Sequence, residues 1–501
     1  MAGENRKELK KVLAHYKANP ADSLKYKAAC FLIENMPYHF SYEGELLEKF
    51  KNELFQTAIT NNCTGEKAIE IMERKYGKLN KGNFKKVYGC HIITAEYLIH
   101  NIEFSFNVLE KVKWKKLIDF DLFCESILPY RIGHEPLENW KDIYYEKFQP
   151  ILDSLLINKN DPLEACKVLY DTISMTEWVI FQNNPLPSMG ALNLLESKIG
   201  NCNDRTDFGY YVMRALGIPG GIDFSIQYPD RQDGGHSWNF VVDTVGNCVE
   251  FLLYGQSPMK SANTAQKKGR VYRKCFGIQN KSLPMPNRRK EKVPSLLNNP
   301  FIHDVSYCYF EDFSLSIESP ANRNIPYLCV FNNKEWVPIA WGTTQSKHVT
   351  FEYVEKGSVY LVANFLGEII IPISDPILVS EEGDFFFLQP SLTNTQDLVL
   401  YRKYPIKHWW ERLRERSHNG KFQVSDNPEF ENAITLFVIE HDLDMKWHRI
   451  FIDISIYRYA RFLSGEKQGH CNMAELIFYS GEKKLTGTII GTQGSFFNDT
   501  K

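Results

Sequence analysis

The spacing of apolar residues changes along this chain, and that change constrains the fold more than any other feature. Through residues 7–156, apolar residues recur about every 3.6 positions, as on one face of a helix. From Phe301 onward, short β-branched and aromatic runs alternate with Asn, Gly, Pro or charged turns, as the strands of a sandwich do. A chain of 501 residues also exceeds what one hydrophobic core usually spans. We therefore predict an α+β multidomain protein. The predicted helices include Glu45–Ile59, Glu66–Lys75, Thr94–Asn107 and Trp140–Leu156.

Shifts in composition divide the chain into five predicted segments. Residues 281–300 contain four prolines and a basic cluster, which is typical of a linker. The predicted segments are a helical amino-terminal domain (1–160), an α+β core (161–280), the linker (281–300), a β-sandwich (301–420) and a further β module (421–501).

Charge, hydropathy and cysteine spacing exclude several classes of protein. Lys and Arg number 59 and Asp and Glu number 61, so the net charge of −2 provides no basic field for nucleic acid. No apolar run reaches the ~18 residues of a transmembrane helix. The 11 cysteines show neither a repeated CxxC nor a His pair at zinc spacing. We expect neither a disulfide framework nor a metal site.

Residues 200–219 carry the motif with the clearest chemistry. Their apolar positions predict a buried helix that Gly217 and Pro219 terminate. Cys202 then lies at the amino end of this helix, where free N–H groups and the helix dipole favour the reactive thiolate. Thirty-four residues later, His236 begins a predicted strand, and residues 248–253 form the returning strand of a hairpin. A thiol that faces an imidazole in this way is what cysteine acyl transfer requires.

These motifs resemble the transglutaminase-like superfamily of papain-like cysteine acyl-transfer enzymes. The resemblance rests on Gly200-Asn201-Cys202 at the helix start, Ala215-Leu216-Gly217-Ile218-Pro219 at its exit, and His236-Ser237-Trp238 on the strand. It covers about 100 residues. The resemblance implies that Cys202 is the nucleophile, that His236 is the base, and that no cofactor takes part.

The third catalytic residue departs from the family's pattern. Leu252 stands where the family usually has Asp. Glu250 lies two residues earlier, on the same face of the strand, and is the predicted replacement. Asp243, in the hairpin turn, is the alternative. The predicted substrate-binding residues are Trp238, Asn239 and Gln227.

The carboxyl-terminal segment resembles part of a discoidin-type, galactose-binding-like jelly roll. The resemblance rests on Tyr457-Arg458-Tyr459-Ala460-Arg461-Phe462 and Ala474-Glu475-Leu476-Ile477-Phe478-Tyr479. It implies a glycan ligand. About eight strands close such a module, so we expect that residue 501 is a truncation point.

The favoured function is thiol-mediated acyl transfer or amide hydrolysis on a peptide, glycopeptide or cell-wall substrate. The alternatives are an inactive scaffold that binds glycan or protein, and a structural assembly protein. Multidomain proteins of this kind resemble envelope or secreted proteins of Bacteroidetes-type gut bacteria, which favours that location although the amino end lacks a signal-peptide core. A cytoplasmic location stays open.

Overall fold

A computed structural model gives the architecture of the chain. It describes residues 2–79, 82, 84–174, 178–180, 185–229, 234–253, 255–258, 267–283, 292–318, 324–332, 334–391, 393–397, 417–440, 449–451, 456–465 and 476–488. The chain divides into two compact units, residues 1–393 and 394–501.

Helices dominate the first 215 residues. Those described are α1 (Arg6–Lys17), α2 (Ser23–Asn35), α3 (Glu45–Thr60), α4 (Gly65–Tyr76), α5 (Gly89–Ile92), α6 (Ala95–Lys111), α7 (Phe120–Ser126), α8 (Lys141–Leu155), α9 (Pro162–Ile173), α10 (Ala191–Ser197) and α11 (Cys202–Ala215). The four helices predicted from periodicity are confirmed as α3, α4, α6 and α8. Side-chain caps set several of the starts: the hydroxyl of Thr94, for example, accepts the N–H of Tyr97 at the start of α6 (3.2 Å). A two-stranded antiparallel sheet, β1 (Phe40–Glu43) with β2 (Lys85–Tyr88), was not predicted.

The helices share one hydrophobic core with the segment that follows them. Buried side chains from Val12 on α1 to Phe208 on α11 and Val241 on the central sheet belong to a single cluster. Burial of this continuous apolar surface is the main force that holds the helices against the sheet. The boundary near residue 160 stays a prediction.

A five-stranded antiparallel sheet positions the candidate site. Its strand order is β7-β6-β5-β8-β9, and a separate parallel pair, β3 with β4, precedes α11. Helix α11 packs on one face of this sheet, where the Asn239 amide donates to the carbonyl of Thr206 (2.9 Å). Residues 305–310 cover the other face, where the Trp238 indole donates to the hydroxyl of Tyr309 (2.9 Å). The strands are β3 (Val179–Ile180), β4 (Ile199–Gly200), β5 (Gly220–Ser225), β6 (His236–Val242), β7 (Cys248–Phe251), β8 (Tyr272–Lys274) and β9 (Ile302–Asp304).

Two further antiparallel sheets follow in the first unit. One has the order β10-β14-β13, and the other β12-β11-β15-β17-β18 with β16 beside β15. Buried Ile317 and Val349 of the first sheet share a core with Val330 and Val362 of the second, so the two sheets pack face to face. Their strands are β10 (Leu315–Glu318), β11 (Pro326–Phe331), β12 (Trp336–Trp341), β13 (Thr343–Gln345), β14 (His348–Phe351), β15 (Ser358–Leu366), β16 (Ile369–Pro372), β17 (Ile377–Val379) and β18 (Phe385–Phe387).

The second unit contains a three-stranded sheet of order β20-β19-β21 and the pair β22 with β23. Part of the predicted 457–462 strand is present as β21. Several predicted features lie outside the described residues: most of the basic linker cluster (284–291), the strand at 398–404, part of the strand at 474–479, and the chain after residue 488. The strands are β19 (Lys421–Ser425), β20 (Ile434–Val438), β21 (Tyr459–Leu463), β22 (Tyr479–Ser480) and β23 (Lys483–Lys484).

Within the described parts of both units, the structure contains no helix that is long and apolar enough to cross a bilayer.

Candidate functional site

Cys202 is the first residue of α11, as the sequence predicts, and a reciprocal cap fixes it there. The side-chain oxygen of Asn201 accepts the N–H groups of Asn203 (2.9 Å) and Asp204 (3.3 Å). In return, the Asp204 carboxylate accepts the N–H of Asn201 (2.9 Å). This capping box satisfies helix-end donors that would otherwise lack partners. It therefore sets the position of the thiol relative to the sheet.

The sulfur of Cys202 lies against the start of β6. The main-chain N–H groups of Ser237 and Asn203 and the Ser237 hydroxyl lie close enough to the sulfur to affect its protonation. That hydroxyl also donates to the side-chain oxygen of Asn203 (2.8 Å). Ser237 directly follows His236, so the peptide unit that lies near the sulfur is bonded to the α-carbon of His236. Cys202 and His236 are both partly exposed.

Burial controls the acidity of this thiol. It raises the pKa of Cys202 above the ordinary value, while the N–H groups of Ser237 and Asn203 act in the opposite direction. The nearby carboxylate of Asp204 adds to the increase. The sequence-based expectation of a lowered pKa is therefore wrong for this structure, because burial outweighs the helix terminus.

Close approach of the main chains of β5 and β6 holds His236 at the start of β6. His236 lies opposite Ser225 of β5 in the strand register. A Cβ atom on the preceding Gly235 would lie 1.7 Å from the carbonyl oxygen of Ser225, so only glycine fits there. The side-chain amide of Gln227 donates to the carbonyls of Tyr228 (2.9 Å) and Gly234 (3.4 Å). Gln227, predicted to contact substrate, is thus buried beneath the loop that leads to His236.

The other two predicted pocket residues lie on opposite faces of the central sheet. Trp238 is buried on the face that residues 305–310 cover, and its ring centroid is 6.4 Å from that of His236. Asn239 has no accessible surface and holds α11 against β6. The described contacts of both residues are with the protein itself, and their role in substrate binding stays a prediction.

The two candidate orienting acids have partners away from His236. Glu250 lies opposite Phe240 in the strand register. Phe240 is four residues along β6 from His236, so the α-carbons of His236 and Phe240 are roughly 13 Å apart. Its carboxylate forms an ion pair with Lys268 (3.4 Å). Asp243 accepts the N–H groups of residues 245 and 247 and closes the hairpin turn. The strand register therefore does not bring Glu250 to the imidazole.

Ser237 is the residue of this site that the sequence analysis missed. It lies between His236 and Trp238, and alternation along β6 turns its side chain towards α11 and the side chains of His236 and Trp238 towards the other face. Its hydroxyl contacts that of Thr206 (3.1 Å) as well as Asn203. A polar residue on the buried face of a strand, next to the predicted base, was the available signal.

Metal binding was also considered for this site. Across the residues that the structure describes, no three His, Cys, Asp or Glu side chains come together as metal ligands would.

Comparisons with known proteins provide little information about this site. No protein-family model matches the chain, and the search of curated proteins finds no relative. A solved structure that aligns with it is described as "a Putative Cysteine Protease from Cytophaga hutchinsonii", with 17% identity and a TM-score of 0.22. The match covers 31% of this chain and 47% of that one, so this chain spans about half the length of that protein. A TM-score this low does not establish a shared fold, and no comparison supports the discoidin-like resemblance.

Proposed function

We propose that the chain is a cysteine acyl-transfer enzyme of the transglutaminase-like kind, with Cys202 as nucleophile and His236 as base. One observation carries the proposal. The start of β6 lies against the first turn of a capped helix, where the Ser237 hydroxyl donates to the side chain of Asn203, the residue after Cys202 (2.8 Å). The proposal requires the imidazole of His236, the first residue of β6, to turn around the end of the strand towards the sulfur. The simplest substrate is an amide bond of a peptide or glycopeptide, with water as the acceptor of the acyl group.

The chemistry follows from the groups around the sulfur. His236 takes the thiol proton as Cys202 attacks the carbonyl carbon, and the carbonyl π electrons move to oxygen. The N–H group of Ser237, which lies near the sulfur, is suited to hold that oxyanion. His236 then protonates the leaving amine. Water cleaves the thioester and restores the thiol.

Proton removal is the demanding step because burial raises the pKa of Cys202. A thiol of raised pKa is a weak nucleophile until a base or a cation stabilises the thiolate. The imidazole is the candidate for both tasks. We therefore expect activity to increase with pH until Cys202 and His236 reach their reactive protonation states.

Acylation by p-nitrophenyl acetate tests the proposal, because this ester requires no knowledge of the natural substrate. The assay uses a Cys248→Ser background, since a hydrogen bond from Cys308 and the guanidinium of Arg273 lower the pKa of Cys248, which could then be acylated as well. We expect a burst of p-nitrophenolate and an acetyl group on Cys202, located by peptide mapping. The Cys202→Ala variant should lose the burst. His236→Ala should slow it roughly 100-fold or more, the usual contribution of a general base.

His303→Ala is the matched control for the imidazole. His303 lies on β9 of the same sheet and is partly buried. This variant should acylate at the parent rate. Acetylation that avoids Cys202, or that proceeds equally fast without His236, contradicts the proposal.

The alternative function is an inactive scaffold of the same fold that binds glycan or protein. The raised pKa of Cys202 and the engagement of Glu250 by Lys268 favour this alternative. A folded protein that shows no acylation at Cys202 and binds ligands on a glycan array would support it.

A further inference from the structure

A second sulfur site lies on the sheet face away from α11. Cys248 begins β7, is partly exposed, and accepts a hydrogen bond from the guanidinium of Arg273 (3.3 Å). That guanidinium is held by both carboxylate oxygens of Asp223 (2.8 and 2.9 Å). It also lies 3.6 Å from the centroid of the Phe240 ring. A fixed cation is therefore directed at the sulfur of Cys248.

The covering segment brings another cysteine to this cation. Cys308 ends a short 3₁₀ helix, Ser306–Cys308, and is exposed. Its thiol lies close enough to the sulfur of Cys248 for each to affect the protonation of the other. The segment is held on both sides of Cys308: the N–H of Val305 donates to the Val271 carbonyl (3.0 Å), and the Tyr309 hydroxyl to Asp223 (2.8 Å). The two sulfurs thus face each other from two fixed elements.

The two sulfurs share one proton unequally. The hydrogen bond from Cys308, together with the Arg273 guanidinium, lowers the pKa of Cys248 to about 6 although burial opposes this. The same hydrogen bond raises the pKa of Cys308, which keeps the proton. At neutral pH the pair is one thiolate beside one thiol.

We propose that Cys248 and Cys308 form a thiol–disulfide exchange site for low-molecular-weight disulfides. The Cys248 thiolate attacks one sulfur of the disulfide RSSR, the S–S bond breaks, and RS⁻ leaves with the bonding electron pair. Cys308 then attacks the Cys248 sulfur of the mixed disulfide. A second RS⁻ leaves and takes the proton from Cys308. Two protein sulfurs are oxidised by two electrons in total, and RSSR is reduced to RSH and RS⁻.

The other described cysteines differ from Cys248 in their surroundings. Burial raises the pKa of each of the thiols Cys30, Cys63, Cys90, Cys124, Cys166, Cys202, Cys275 and Cys329. Exchange depends on the thiolate fraction, so oxidation at neutral pH should select Cys248 among them. The site lies on the opposite face of β6 from Cys202 and is independent of the acyl-transfer proposal.

Oxidised glutathione is the probe for this site. The full chain carrying Cys202→Ala is incubated with it near neutral pH, quenched in acid and mapped by mass spectrometry. We expect a Cys248–Cys308 disulfide and the loss of two titratable thiols. The reaction rate should reach half its maximum near pH 6, rather than near the ~8.5 of an ordinary thiol.

Variants separate the two sulfurs. Cys308→Ser should stop the reaction at a glutathione adduct on Cys248, and Cys248→Ser should abolish the fast phase. Cys63→Ser, which changes a partly exposed thiol at the turn between α3 and α4, should behave as the parent. Glutathione adducts elsewhere without a Cys248–Cys308 link in the parent overturn the proposal, as does a Cys308→Ser protein whose Cys248 stays unmodified. Peptide mapping of the oxidised parent protein tests the proposal even where a variant fails to fold.

Discussion

Ser237→Ala should destabilise the junction of α11 and β6 by about 1–1.5 kcal/mol. The Ser237 hydroxyl is buried and forms hydrogen bonds with Asn203 and Thr206. Its removal breaks these hydrogen bonds at a buried position, where water does not readily replace them. The cost stays moderate because the Thr206 hydroxyl keeps its contacts to the carbonyls of Cys202 (3.1 Å) and Asn203 (2.8 Å). Asn203 is exposed and can turn to water. About one buried hydrogen bond is therefore lost.

Native-state hydrogen exchange measures this cost where it arises, since a chain with several cores need not unfold in one step. Amides of α11 and β6 should lose protection by about 10-fold, the equivalent of ~1.4 kcal/mol, and amides of the distant strand β15 should not change. Ser316→Ala is the matched control. It removes an exposed hydroxyl that contacts Thr350 (3.0 Å), and should alter protection by less than 2-fold. Equal effects of the two substitutions would refute the reasoning.

Three further predictions concern the hairpin and its surroundings. Gly235→Ala should disrupt the β5–β6 crossing and abolish folding or acylation, whereas Gly246→Ala, in open space at a φ of +90°, should cost only about 1 kcal/mol in thermal unfolding. Burial raises the pKa of Glu355 to about 6, so the folded state binds its proton more tightly than the unfolded state. Stability should therefore fall by roughly 1 kcal/mol as pH increases from 4.5 to 6, out of about 2 kcal/mol for the complete titration, and Glu355→Gln should remove this slope in urea unfolding measured across that range. Glu250→Gln should lower the acylation rate less than 10-fold, since the ion pair with Lys268 holds this carboxylate away from the imidazole; a 1,000-fold loss would restore it as the orienting acid.

The helices and the helix start could be predicted because local chemistry decides them. Periodicity gave α3 and α4 to within one residue at each end. The asparagine before Cys202 is a preferred cap, and the Gly and Pro after the helix stop it, so α11 follows from neighbours in sequence. No pairing over long distances was needed for these elements.

The electrostatics of the site could not be predicted, because partners distant in sequence set them. Glu250 is separated from Lys268 by 17 intervening residues, and nothing local indicates that pair. Cys248 meets Cys308, 60 residues further along, only because residues 305–310 fold over the sheet. The residues next to Cys248 in sequence give no sign of this role, since it depends on a tertiary contact.

A comparison of Cys202 with Cys248 shows what a buried thiolate requires in this sheet. Both sulfurs are partly buried, and both accept hydrogen bonds. Neutral amide donors surround Cys202, and its pKa rises; a guanidinium and a thiol face Cys248, and its pKa falls. The hydrogen bond from the Cys308 thiol, with the Arg273 guanidinium beside it, outweighs desolvation at Cys248, whereas the neutral donors at Cys202 do not. Cys202 therefore needs a further partner, the imidazole of His236, to become a thiolate. The acylation rate should depend on His236 more than on the helix terminus.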